Sequence, residues 1–185
     1  MLQALFAVPV LVTNLGLSDD ARFLLRERAL NAYRVNNVNL KPWSRSTRES
    51  LVNQEPVFKD LFASVICVAE TAFSVRVASI RGRELVQFDG DFVPPHVEPS
   101  VLSAIYWIDT ASTPDHARGD HNGSLVLQSP VGPFGTKGLP IEERVRFIDP
   151  KPDQLLIFPS HLVHFGHVYR AAKPSVEIHF EMEIT

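Results

Sequence analysis

The stretch PHVEPSVLSAIYWID, residues 95–109, decides how this chain folds. From residue 102 it alternates. Leu102, Ala104, Tyr106 and Ile108 fall on one side of an extended segment, and Ser103, Ile105, Trp107 and Asp109 on the other. Just before that strand, His96 and Glu98 stand two residues apart. In extended backbone such a pair points to one face, so an imidazole and a carboxylate converge. A second half-site lies in FPSHLVHFGH, residues 158–167. The apolar run Leu155-Leu156-Ile157-Phe158 carries the chain inside as a strand, and Pro159-Ser160 turns it. His161, His164 and His167 follow at helical spacing, but Pro159 and Gly166 bracket them too closely for a stable helix.

The rest of the chain bounds the possibilities. At 185 residues it suits one domain with a sizeable core, helical over 1–75 and β-rich over 76–185. A formal charge of -3 leaves no basic footprint for nucleic acid. Nothing approaches the length of a membrane span. The apolar start LFAVPVLVTNLGL lacks a positive leading region and contains Pro9, so it reads as an edge strand over 5–12 and not as a secretory leader. The single cysteine, Cys67, excludes an internal disulfide framework, fits a reducing cytoplasmic setting and is expected to be a buried thiol.

In order, Ser18-Asp19-Asp20 caps a helix over 21–33, and Pro56 opens a second helix reaching Phe73. Between them, Asn36, Asn37, Trp43 and Ser44 are candidates to line a cleft, and 41–48 to shape it. Short strands are expected at 84–88, 123–127, 144–148, 154–158 and 175–185, with Pro94-Pro95 ending the first of them. The polar insertion 110–122 is expected to be a flexible loop beside the site, and 128–140 is also loop. Helices first and strands after indicate an α+β chain dominated by an antiparallel sandwich or small barrel.

Two histidines and one carboxylate with coordination positions left open form a facial-triad donor set. HVE, SAIYWID and LLIFPSHLVH together resemble the 2-oxoglutarate- and Fe(II)-dependent dioxygenases, in particular the small bacterial and phage-type branch with HxH-P-x-S-x-LSGVYYL and FPSWLxH signatures. The likeness spans roughly 83–180 and is good in both motifs but poor between them. It implies a double-stranded β-helix, a jelly-roll and cupin relative, with two N-terminal helices packed on one sheet. It implies Fe(II) on His96, Glu98 and His164, with His161 and His167 outside the ligand set. Glu98 departs from the HxD of most of the superfamily and from the HxH of the nearest branch. The implied reaction hydroxylates an unidentified small molecule or peptide, consuming dioxygen and 2-oxoglutarate and releasing succinate and CO2.

The family holds the distal carboxylate of 2-oxoglutarate with a basic residue on the strand after the distal histidine. No arginine occurs on the last strand here. Lys173 lies nine positions beyond His164, at prolyl-hydroxylase-type spacing, with Ser175 on the same face and Arg170 as a loop alternative. Aligned on the phage-type branch, Ser175 falls where the arginine belongs. Trp107 occupies the position of a co-substrate-binding tyrosine and offers an indole N–H. Glu177 and His179 share the face of Ser175, which in a double-stranded β-helix points into the barrel mouth; two readings stay open for them, contact with substrate or a polar outer face of the sheet. Two other readings stay open, a cupin-like metalloprotein without 2-oxoglutarate and a catalytically inactive binding jelly roll. Assembly as a homodimer is also left open.

Overall fold

The computed structural model describes residues 8–36, 55–130 and 144–185. Asn37, Trp43, Ser44, the segment 41–48 and most of the loop 128–140 lie outside the described residues. Of the first expected strand, residues 5–7 also lie outside them. Its continuation, β1 (Leu11–Asn14), forms an edge of a sheet, pairing with β7 (Gln154–Pro159) alone.

Helix α1 spans Asp19–Asn36. Ser18 caps it, its hydroxyl accepting the Ala21 N–H at 3.2 Å, and Asp19 and Asp20 complement the positive end of the helix dipole. Helix α2 spans Lys59–Phe73 behind a single 3-10 turn at Pro56–Phe58. Its buried residues Leu61, Val65 and Ala69 recur every four positions, which makes one stripe. Cys67 is two residues, about 200° of rotation, from Val65. It is therefore exposed, which corrects the expected buried thiol.

The strands form two antiparallel sheets. The larger has the order β1, β7, β4 (Leu102–Asp109), β9 (Ser175–Ile184), β2 (Val77–Gln87). The smaller has the order β3 (Val93–His96), β8 (His164–Gly166), β5 (Leu125–Gln128), β6 (Val145–Ile148). From β2 to β9 the chain passes back and forth between the sheets, with β5 and β6 consecutive in the smaller one, consistent with a jelly roll. One face of the larger sheet meets both helices through Ala104, Tyr106, Ile108, Ile178, Phe180 and Met182. The other face, with Ile105, Trp107, Leu156 and Phe158, meets Leu125, Leu127 and Ile148 of the smaller sheet. Strand β4 is consequently buried from Leu102 to Ile108. Gly82 on β2 is needed for helix packing, because a Cβ there would lie 2.6 Å from the Phe62 ring of α2.

Several boundaries differ from the sequence reading. Strand β2 runs from Val77, well before the expected 84, because its pairing with β9 continues along the whole strand. Pro94 and Pro95 do not end the expected 84–88 strand, since β2 stops at Gln87; they lie within β3, an edge strand, which tolerates proline because its outer N–H groups have no partner to lose. Residues 110–122 contain a 3-10 turn at His116–Arg118 closed by an Asp115–Asp120 bridge, so this insertion is built and not a featureless loop.

Asp153 ties the sheet to the chain entering α1. Its carboxylate accepts from Gly16 N at 2.7 Å, Leu17 N at 3.0 Å and Tyr106 Oη at 2.9 Å, and its own backbone is left-handed at φ 67°. Asp153→Ala removes all three acceptors and places alanine in a strained conformation. It should lower unfolding free energy by about 2–4 kcal/mol. Asp153→Asn, which tolerates that backbone, should lose less. Urea denaturation of the two variants checks the ranking, and equal losses would contradict it.

Candidate metal centre

His96 ends β3 and His164 begins β8, and the two are register partners in the smaller sheet. Glu98 follows two residues on, its backbone N–H bonded to the Ser160 carbonyl at 3.2 Å. One ligand atom from each of His96, Glu98 and His164 lies within 4.8 Å of the others. The rings of His96 and His164 are 4.2 Å apart between centroids. Each histidine donates Nδ1–H to a backbone carbonyl two residues earlier, His96 to Pro94 at 2.8 Å and His164 to Leu162 at 3.0 Å. That bond commits Nδ1 as the donor, so Nε2 carries the lone pair on the neutral His164 ring, and on His96 once the proton it shares with Glu98 has left.

The turn at Pro159-Ser160 supplies the mounting. Ser160 Oγ bonds Ser100 Oγ at 2.8 Å and Ser103 Oγ at 2.7 Å, and Ser160 N–H bonds the Val101 carbonyl at 3.1 Å. This small network locks the segment after Glu98 to the segment before His164. Ser160 is visible in the sequence as part of the FPS motif, but the roles of Ser100 and Ser103 depend on a sixty-residue separation in sequence that only the fold closes.

Charge in the site is unevenly placed. His164 is 1 % exposed and packs edge-on against Phe158. Burial, with the nearby His96 and His179, pushes its pKa down to about 4, so it presents a neutral ring. Burial works to raise Glu98, but the hydrogen bond from His96 and the charge of Arg83 outweigh it and hold that carboxyl at about 2. The hydrogen bond to Glu98 raises His96 in turn, against the opposing effect of burial. A metal entering this site must therefore displace the proton shared along His96 Nε2 and Glu98 Oε1, which lie 3.3 Å apart. Arg83 of β2 pairs with Glu98 and lies 3.9 Å from Glu181. Sequence reading missed Arg83, since nothing in REL around it signals a partner fifteen residues on.

Of the other residues singled out, Trp107 and Ser175 are buried on the face of the larger sheet that looks toward the smaller one. Ser175 Oγ donates to the Asp109 carbonyl at 3.4 Å. Lys173 is exposed just before β9, and its carbonyl accepts Tyr169 Oη at 2.6 Å. Arg170 is exposed as well, its N–H bonded to Asn122 Oδ1 at 2.8 Å. His161 is exposed, and His167 stacks with His121 and Phe147 away from the triad. The structure thus brings His96, Glu98 and His164 together and leaves Lys173 outside that group.

No family model matches the chain, and no curated protein matches it in sequence. Solved structures match closely in fold. A prolyl-4-hydroxylase of Pseudomonas putida is 12 % identical over 95 % of this chain and 88 % of its own, with a TM-score of 0.66. HygX of Streptomyces hygroscopicus, solved with nickel and 2-oxoglutarate bound, is 12 % identical over 96 % of this chain and 83 % of its own, at 0.68. A prolyl hydroxylase of Trichoplax adhaerens, in complex with a hypoxia-inducible-factor peptide, is 16 % identical over 94 % and 83 %, at 0.66. With two antiparallel sheets, two α-helices and a His–Glu–His cluster among the described residues, the chain shares the fold of these solved prolyl hydroxylases and of HygX.

Proposed function

We propose that this chain is a non-haem Fe(II)-dependent oxygenase built on a double-stranded β-helix, with the metal on His96, Glu98 and His164. The observation that carries the reading is the convergence of three donor atoms within 4.8 Å, two of them imidazole nitrogens oriented by carbonyls behind them. Two nitrogens, one carboxylate and open positions suit Fe(II) better than a closed structural site. Bound iron supplies the activation of dioxygen.

The residues of the chain do the rest. Pro94 and Leu162 carbonyls hold the two rings in the ligating tautomer. Arg83 keeps Glu98 ionised and oriented. Ile105, Trp107, Leu127, Leu156 and Phe158 line the space between the sheets and exclude water from it. The substrate is a small molecule or a peptide.

The fold likeness also suggests 2-oxoglutarate, and its two ends fare differently. The keto-acid end suits a metal with open positions. The distal carboxylate does not fit: the inward residues of β9 are Ser175, Glu177, His179 and Glu181, and Lys173 is exposed ahead of the strand. No step is therefore assigned to 2-oxoglutarate. The acidic strand favours a second reading, a metalloprotein of the same fold that takes a different small ligand.

Anaerobic titration with Fe(II), followed by oxygen-uptake measurement, tests the assignment. One metal per chain with metal-dependent oxygen consumption is expected. Substoichiometric, weak metal binding would remove the reading.

A further inference from the structure

Beside the metal centre, the facing surface of the larger sheet carries two buried polar atoms without a hydrogen-bond partner and a buried carboxylate. Trp107 stands between Glu177 on one neighbouring strand and Gln154 on the other, by register. Glu177 is 4 % exposed, and its Oε2 lies 3.5 Å from His179 Nε2. His179 Nε2 is itself buried without a hydrogen-bond partner. So is Gln154 Oε1. Cross-strand neighbours share a face, so all three groups point toward the smaller sheet, whose Leu125 and Leu127 cluster with Trp107 and whose His164 is the register partner of Leu127. His179 lies near enough to His164 to influence its protonation.

Burying an imidazole nitrogen and an amide oxygen without partners, beside a carboxylate, is costly. Such a set is stable in the presence of a ligand that supplies the donors. A second carboxylate would instead meet Glu177 and Glu181 across a short, poorly solvated gap. Arg83, the cation nearest by register, is engaged by Glu98 and Glu181.

We propose that Glu177, His179 and Gln154 form the distal anchor of the metal-centre chamber, and that they recognise an amide or ammonium group on a small ligand whose other end chelates the metal. The inference rests on the metal centre proposed above. It puts a neutral or cationic donor where a 2-oxoglutarate carboxylate would lie.

The test uses the Ni(II)-loaded protein, which binds ligands without turnover, and two chelators that differ only at the far end. N-oxalylglycine ends in a carboxylate and N-oxalylglycinamide in the corresponding amide. Isothermal titration and the Ni(II) absorption bands report binding. The wild type should bind the amide at least about tenfold more tightly than the acid. Glu177→Gln, a nearly isosteric change, should shrink that preference to about threefold or less, and Glu177→Arg should invert it. Tighter binding of the acid by wild type, or a preference unchanged in Glu177→Gln, would overturn the proposal while leaving the metal centre standing. Failure of wild type to take up Ni(II) would overturn both, and metal stoichiometry shows which has failed.

Discussion

His164→Ala is expected to abolish stable metal binding. His164 is the most buried of the three candidate ligands, at 1 % exposure, while His161 is exposed and His167 belongs to a different ring cluster. Removing a group that merely supports a ligand commonly costs ten- to a hundredfold in metal affinity, so loss of a ligand itself should exceed about a hundredfold. Truncation also leaves a space against Phe158, with a stability cost of about 1–2 kcal/mol, which a folded domain of this size tolerates. Metal analysis after gel filtration, with circular dichroism as a folding control, reads both effects. His161→Ala and His167→Ala should retain wild-type metal content. If His164→Ala retains it too, the ligand set is wrong.

The second large effect concerns stability and pH, on the opposite face of the sheet. Glu84 is 1 % exposed on β2, register partner of Ile178, under the helices and beside the Arg28–Glu55 ion pair. Burial raises its pKa from 4.5 to about 7, with Arg28 opposing and Glu55 reinforcing the shift. The folded state therefore keeps a proton that the unfolded chain gives up. Stability from this group is greatest below pH 4.5 and declines as pH rises through 7. At pH 8 the accumulated penalty is about 3 kcal/mol. Glu84→Gln, neutral at every pH, should raise stability at pH 8 by about 2–3 kcal/mol and change it little at pH 4.5. Denaturant melts across that range measure the slope directly. An identical slope in the variant would show that Glu84 is not its source.

The candidate ligands were legible because each depends on local geometry. His96 and Glu98 stand two apart, the spacing that shares a face in extended backbone, although β3 ends at His96 and Glu98 is held by its N–H bond to the Ser160 carbonyl. Proline and serine after an apolar strand announce the turn before His164. The same period separated the two faces of β4 correctly, with Tyr106 toward the helices and Trp107 toward the smaller sheet. The first turn of α1 was legible for a similar reason, since a serine followed by two aspartates acts within a few residues.

Other properties are set by residues far apart in the chain. Cys67 has apolar neighbours in sequence, yet which stripe of α2 is buried depends on where the sheet lies, and the thiol falls on the opposite side. Lys173 has the spacing of an anchor, but β9 begins only at Ser175, after Tyr169 has pinned the Lys173 carbonyl outside the sheet. Arg83 meets Glu98 because the β2–β9 register and the β3 edge converge, and no local pattern encodes that meeting. The acceptors at Gln154, Glu177 and His179 come from two strands that sequence order separates and that the sheet places on either side of Trp107. Local periodicity determined which side chains share a face. Strand order and register, settled by long-range hydrogen bonding and core packing, decided what each face looks upon.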